Sequence, residues 1–153
     1  MNLQSLLLFL HIAGAVLWVG GMFFAYVCLR PVVAELLEPP QRLRLWRGVF
    51  RRFFAWVWGA VLLIAASGLL LLGAVGFRAA PPGWHLMTAS GLLMIALFVY
   101  VATGPYAALG RAVDGADWKA GGAALNRIRQ VVGVNLVLGF LTVGFATLGR
   151  HWL

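Results

Sequence analysis

Four long runs of apolar residues constrain what this chain can fold into more than any other feature of its sequence. They cover about residues 3–29, 53–75, 84–108 and 131–148, and together they take up most of the 153 residues. A helix needs roughly 20 apolar residues to cross the hydrocarbon core of a bilayer. We therefore predict an all-α fold, an integral membrane four-helix bundle that forms a single domain over residues 1–153.

The composition also indicates a lipid bilayer as the surroundings of these helices. Only 10% of the residues are charged and 63% are hydrophobic, whereas soluble domains carry about 25% charged residues. The net charge of +8 does not indicate nucleic acid, because the basic residues flank the apolar runs, where they meet lipid headgroups. Short loops between membrane helices offer no element that enters a groove, so we expect no nucleic-acid binding.

The distribution of basic residues predicts which side of the membrane each loop faces. Ten Lys and Arg residues lie in the loops after the first and third runs, whereas the second loop and the C-terminal tail hold only Arg78 and Arg150. Loops rich in Lys and Arg stay in the cytoplasm. We therefore expect a multi-pass protein of the bacterial inner (plasma) membrane with its N-terminus and C-terminus both periplasmic.

The first basic loop contains an amphipathic stretch. Leu43, Trp46 and Phe50 recur at three- and four-residue spacing and so share one helical face. This predicts a short helix on the membrane surface with the three apolar side chains in lipid. The alternative is a solvated loop whose charges only set the topology. The third loop, residues 113–126, is polar and rich in glycine, which predicts a connector with a helical turn or two.

Three histidines provide the candidate chemistry, and all of them fall in the outer half of the bundle or at its rim. His11 lies about eight residues, or roughly 12 Å, inside the first run, whereas His85 begins the third run and His151 follows the fourth. A polar imidazole at such depth needs a partner and indicates a functional site. The structural alternatives are a hydrogen bond to a neighbouring helix for His11 and an interfacial position for the other two.

Two kinds of ligand suit these residues. Neutral imidazole binds copper and haem iron, and thioether sulfur binds Cu(I). A copper ion would use His11 and His85 with Met87, Met22 and Met94 assisting, although core packing is an ordinary alternative for methionine. A haem b would use the two histidines as its axial ligands, which would serve electron transfer or oxidation.

Seams of small and polar residues run along three of the four apolar runs. They comprise His11, Gly14, Trp18, Gly21, Ala25 and Cys28 in the first run, Ser67 and Gly68 in the second, and Asn135, Gly139, Thr142 and Ala146 in the fourth. Small residues let a neighbouring helix approach closely in lipid. The seams predict tight packing inside the bundle, and they would equally suit a homodimer.

The sequence contains no hydrolytic motif. The apolar runs contain no Asp or Glu that could act as a base, and no glycine-rich phosphate loop precedes a helix. The sequence therefore favours a protein that is not an enzyme. A structural or assembly subunit without any site is a further alternative to the copper and haem interpretations.

Several segments resemble the copper resistance protein D (CopD) family. They are Leu10-His11-Ile12, the stretch 18–24 and Leu29-Arg30-Pro31 in the first run, and the stretch 127–139 at the last helix. The resemblance covers essentially the whole chain. It implies an inner-membrane protein of copper homeostasis or transport, one that moves copper across the membrane with a periplasmic copper carrier as its partner.

More distantly, the chain resembles the HemJ-type protoporphyrinogen oxidases, which are four-helix membrane proteins that bind haem b. The resemblance implies a His in the first helix and a Lys in the third as functional residues. His11 matches the first position, but residues 84–88 contain no Lys. This departure disfavours HemJ-type catalysis and leaves His85 as the candidate replacement ligand.

Overall fold

The computed structural model describes residues 2–151, except for the side chains of Arg150 and His151, and this part of the chain is helical without a strand. The helices are α1 (Leu3–Phe23), α2 (Arg30–Leu36), α3 (Pro39–Val75), α4 (Pro82–Thr103), α5 (Pro105–Asp114) and α6 (Trp118–Thr147). A π-helical segment, Phe24–Leu29, joins α1 to α2, and 3₁₀ turns cover Phe77–Ala79 and Leu148–His151. The predicted interfacial position of the His151 side chain lies outside the described residues.

Four continuous helical stretches are long and apolar enough to cross a membrane. They are Leu3–Leu36, Pro39–Val75, Pro82–Asp114 and Trp118–Thr147. The all-α class and the four membrane-spanning helices are therefore confirmed, whereas the side of the membrane that each terminus faces stays a prediction. All four stretches run past the predicted apolar runs at the end of the molecule that carries most arginines.

Local sequence determines where the helices begin and end. The side chain of Asn2 accepts a hydrogen bond from the backbone N–H of Ser5 at 2.8 Å and so caps α1. Asp117 caps α6 in the same way. Pro82 is the first residue of α4, where its missing N–H costs nothing. Gly76 ends α3 with a φ of 88°, a conformation that favours glycine.

Two antiparallel helix pairs make up the bundle, and glycines let the helices of each pair approach closely. In the first pair, α1 and α3, a Cβ on Gly14 would lie only 2.8 Å from the Ile64 side chain. In the second pair, α4 and α6, a Cβ on Gly83 would lie 2.7 Å from the Cα of Gly149. Since Gly83 begins α4 and Gly149 follows α6, these two helices run in opposite directions. Close packing at Gly14, a member of the predicted seam of the first run, is confirmed, whereas the contact between Gly83 and Gly149 was not predicted.

Gly139 of α6 sets the relative level of the two pairs. A Cβ there would lie 3.0 Å from the Val19 side chain of α1 and 3.4 Å from Cε of Met94 of α4. Further along α1, Tyr26 contacts Gly133, which lies further back along α6. Both α1 and α4 therefore run antiparallel to α6 and begin at the same end of the bundle. We call this end the histidine end and the opposite one the basic end.

The π-helical segment interrupts the predicted seam of α1. Gly14 and Trp18 are buried on the seam, but Cys28 is exposed. A π-turn carries one residue more than an α-turn, and each residue of an α-helix rotates the chain by about 100°. Cys28, near the end of this segment, therefore lies off the face on which the seam began.

The amphipathic stretch at the basic end is buried, not spread on lipid. Leu43, Trp46 and Phe50 are 3–4% exposed, so the predicted surface helix is wrong. These residues belong to the unbroken helix α3, and their spacing continues in phase through the buried Phe54 and Val57. The stripe that resembled a lipid-facing surface is the first part of the core-facing stripe of the second membrane helix.

The third loop is also more helical than its composition predicted. Only the residues between Asp114 and Trp118 lie outside helices, because α5 and the first turns of α6 cover the rest. Arg47 of α3 forms a salt bridge with Asp114, and its Nη2 donates to Oδ2 at 2.9 Å. Arg44 lies over the Trp118 ring at 5.3 Å. These contacts hold α5 and α6 against the start of α3.

Candidate functional site

His11 lies in α1 with its ring held by α3. Its Nδ1 lies 3.1 Å from the carbonyl oxygen of Ile64 and 3.0 Å from Oγ of Ser67. Because a carbonyl only accepts, Nδ1 carries the hydrogen and donates it. The Ser67 hydroxyl donates in turn to the carbonyl of Leu63 at 2.6 Å, so it is free to accept from the ring. These contacts place the lone pair of the imidazole on Nε2.

The space beside the His11 ring depends on a glycine. A Cβ on Gly68 would lie 3.0 Å from Cε1 of the ring, so a larger residue would press on it. Within the part of the chain that the structure describes, no hydrogen bond to Nε2 is formed. Histidines that bind metals usually donate their other ring N–H to a carbonyl or carboxylate, which fixes the tautomer and the ring. His11 has this arrangement, with Ile64 and Ser67 as the acceptors.

His85 lies in the first turn of α4 and packs edge-on against Phe77, with 4.5 Å between the ring centroids. The Gly139 contacts allow its depth to be compared with that of His11. His11 precedes Val19 by eight residues, and His85 precedes Met94 by nine. Measured from the level of Gly139 toward the histidine end, these separations correspond to about 12 and 13.5 Å. The two histidines thus lie at nearly the same depth. No described contact joins their rings, and a shared ligand stays a prediction.

Two of the three methionines of the predicted copper set lie away from the histidines. Met87 is half-buried near His85. Met22 and Met94 are 2% and 3% exposed in the centre of the bundle, and the Sδ of Met94 accepts a hydrogen bond from Thr142 at 3.6 Å. Met22 lies eleven residues after His11, or roughly 16 Å further along the helix. The two buried methionines therefore belong to a different level of the bundle.

The described residues contain no cluster of three or more His, Cys, Asp or Glu that could hold a metal ion. Any copper site in this part of the chain would thus combine one or two histidines with sulfur or neutral oxygen ligands. Such soft and neutral sets suit Cu(I) better than Zn²⁺ or Mg²⁺.

A small cavity in the centre of the bundle is lined in part by Trp18, Met22 and Asn135. Its volume of about 20 Å³ is close to that needed for a single water molecule. Asn135 is 4% exposed, and its Nδ2 donates to the backbone carbonyl of Met94 at 3.4 Å. Its Oδ1 has no hydrogen-bond partner among the described residues. An unpaired buried acceptor costs about 1–3 kcal/mol.

The polar stripe predicted on the fourth run is confirmed as a packing face toward α4. Besides Asn135, Thr142 of this stripe lies 2.7 Å from Oγ of Ser90. The partners of His11 were not predicted, although Ser67 and Gly68 stood out as the polar and small pair of the second run. A signal was present, since that pair lies near the outer end of its run at about the depth of His11.

Comparisons with known proteins identify a family. A family model described as Copper resistance protein D matches residues 47–148, which is about two thirds of the chain. The matched part includes Ser67, Gly68, His85 and Met94, whereas His11 and the rest of α1 precede it. No curated protein and no solved structure matches the chain.

Proposed function

Because this chain belongs to the copper resistance protein D family, we propose that it handles copper in a bacterial inner membrane through a site at the histidine end. The observation that supports this most is the orientation of His11. Its Nδ1–H is committed to Ile64 and Ser67 of α3, and its Nε2 is left to bind a metal ion. Copper is the cargo in this proposal, and the two groups on α3 orient its ligand.

His85 is the second ligand in this proposal. Its depth equals that of His11 to within about one helical turn, and α4 and α1 both pack against α6. Phe77 supports its ring from one side. Met87 is half-buried two residues later in the same helix, but residues two apart do not face each other on a helix, so its thioether as a further ligand stays a prediction. With the termini periplasmic, a periplasmic copper carrier would deliver its ion to this end.

Met22 and Met94 would act at a second level, deeper in the bundle. Both are buried near Asn135, and Met22 and Asn135 line the same small cavity. A thioether and an unpaired amide oxygen are neutral ligands that a Cu(I) ion accepts. This level would receive copper from the histidine end on a path through the bundle.

The test is a Cu(I) titration of the full chain, purified copper-free in a mild detergent, in competition with a chromophoric Cu(I) chelator. We expect binding that weakens more than about 100-fold in His11→Ala, because loss of a ligand exceeds the 10- to 100-fold cost of losing an outer partner. His85→Ala should weaken binding at least about 10-fold. Thr147→Ala is the matched control, since that hydroxyl bonds only to carbonyls of its own helix.

Equal copper affinity in the wild type and in His11→Ala would contradict the proposal. An absorption spectrum of the same preparation tests the alternative for the same two histidines. A Soret band that is present in the wild type and lost in both histidine variants would assign them to haem b. Loss of stability alone, with no ligand bound, would indicate a structural or assembly subunit.

A further inference from the structure

Three arginines from different helices converge at the basic end. They are Arg30 at the start of α2, Arg42 in α3 and Arg129 in α6, and all three are half-buried. Arg129 lies within electrostatic range of both other guanidinium groups. Within the described residues no carboxylate forms an ion pair with any of these three arginines. The ion pair that the described residues do form joins Arg47 to Asp114.

The positions of these arginines are set by specific contacts. Arg30 lies over the ring of Tyr26, with its Cζ 5.0 Å from the ring centroid. That ring in turn packs on Gly133, one turn along α6 from Arg129. Nη2 of Arg42 donates to the carbonyl oxygens of Ala34 and Leu37, both at 3.0 Å. The cluster is therefore held by the backbone and by an aromatic ring.

The cluster has donors and charge that the described residues do not satisfy. The Nε atoms of Arg42 and Arg129 are buried without a hydrogen-bond partner. Glu35 and Glu38 are close in sequence, but both are exposed and form no ion pair with the cluster. Three like charges that are partly removed from water repel one another unless a counter-ion joins them. Two buried N–H donors and three positive charges make this cluster suited to an anion from outside the described part of the chain.

We propose that Arg30, Arg42 and Arg129 together bind the phosphate group of an anionic ligand at the basic end. Guanidinium groups present paired N–H donors that match phosphate oxygens, and such charge-assisted bonds are the strong ones. Two sources share this chemistry, the headgroup of an anionic phospholipid and a free phosphate ion. The loops at this end are the ones predicted to face the cytoplasm, where anionic lipid attracts basic residues.

Native mass spectrometry of the full chain, delipidated in an uncharged detergent, tests the lipid source. We expect the wild type to retain phosphatidylglycerol at least about 10-fold better than phosphatidylcholine, and Arg129→Gln to lose most of that preference, since a bond to a charged group contributes about a factor of ten or more. Arg127→Gln is the matched control, because it removes an exposed charge two residues earlier in the same helix and should keep the preference.

Thermal unfolding with inorganic phosphate, against chloride at equal ionic strength, tests the free ion. A rise in the unfolding midpoint that the wild type and Arg127→Gln show and Arg129→Gln lacks would identify free phosphate as the ligand. Arg129→Lys keeps the charge and loses the paired donors, so its affinity for the phosphate group should be intermediate. It replaces Arg129→Gln as the test variant if Arg129→Gln does not fold.

Two results would overturn the proposal. One is the absence of any effect of Arg129→Gln on both phosphatidylglycerol and phosphate binding. The other is an equal loss in Arg127→Gln and Arg129→Gln, because that would show a response to net charge alone. This inference does not depend on the proposed copper site, which would lie at the other end of the bundle.

Discussion

The histidine end and the basic end of the bundle are built from different side chains. At the basic end Trp46, Phe50 and Phe54 stack with ring centroids 5.0 and 5.2 Å apart, and Tyr106 packs against two of these rings. At the histidine end the helices meet through glycines and small polar groups around His11. Large aromatic surfaces stabilise a bundle through the area that they bury, whereas small residues let the helices around His11 approach closely with little side-chain surface. Stability should therefore depend on the basic end and copper binding on the histidine end.

The largest effect on stability should come from Phe50→Ala. Phe50 is 4% exposed and contacts three aromatic rings. Its removal should cost about 3–5 kcal/mol of unfolding free energy, because the surrounding rings cannot close the cavity. Reversible denaturation in detergent micelles measures this. Leu62→Ala is the control, since Leu62 of the same helix is 67% exposed, and a loss as large there would remove the distinction between core and lipid-facing positions.

His11→Ala should separate the two ends most clearly. It removes a hydrogen bond between two membrane helices, and such bonds are worth about 0.6 kcal/mol on average. The unfolding free energy should therefore fall much less than in Phe50→Ala, although copper affinity falls more than about 100-fold. Denaturation and Cu(I) titration of one preparation measure both. A destabilisation as large as that of the aromatic variant would show that His11 serves the fold.

Gly68→Ala tests the positioning of the ring without removing it. The new methyl group would lie 3.0 Å from Cε1 of His11 and should displace the imidazole. We expect copper affinity to fall about 10-fold, the lower range for a disturbed outer partner. Gly73→Ala is the control in the same helix, because a Cβ there meets nothing within 4 Å. Equal affinities in the two variants would mean that the ring does not bind the ion from its present position.

The smallest effect should come from Arg47→Gln at the basic end. The salt bridge that it removes is solvent-exposed, with side chains 37% and 65% exposed, and exposed pairs contribute little. At high salt, which screens the ion pair, the unfolding midpoint of Arg47→Gln should equal that of the wild type. A marked loss would show that charge pairs, in addition to the aromatic stack, hold α5 against α3.

The four membrane helices could be predicted from the sequence because each run of apolar residues has the length of a bilayer. The structure of the basic end could not. Leu43, Trp46 and Phe50 have the spacing of a surface helix and of a core stripe alike, and arginines surround them in both cases. Burial by α5 and α6 decides between the two, and that depends on contacts between residues far apart in the chain.

The site could be predicted in part for a similar reason. The depth of His11 follows from counting residues, and this single count indicated a polar partner inside the bundle. The identity of that partner depends on which helix lies next to α1, and periodicity does not reveal helix neighbours. Ser67 and Gly68 therefore became partners of His11 only in the folded bundle. The arginine cluster was missed for the same reason, since its members come from three helices.

Helix α3 is a single rod of 37 residues, roughly 55 Å long, whereas the hydrocarbon core is about 30 Å thick. Ser67 lies eight residues before its end and Arg42 three residues after its start, roughly 37 Å apart. A lever of this length turns a tilt of 5° into a displacement of roughly 3 Å between these two residues. A ligand that tilts α3 at one face of the membrane would therefore displace the side chains of α3 at the opposite face.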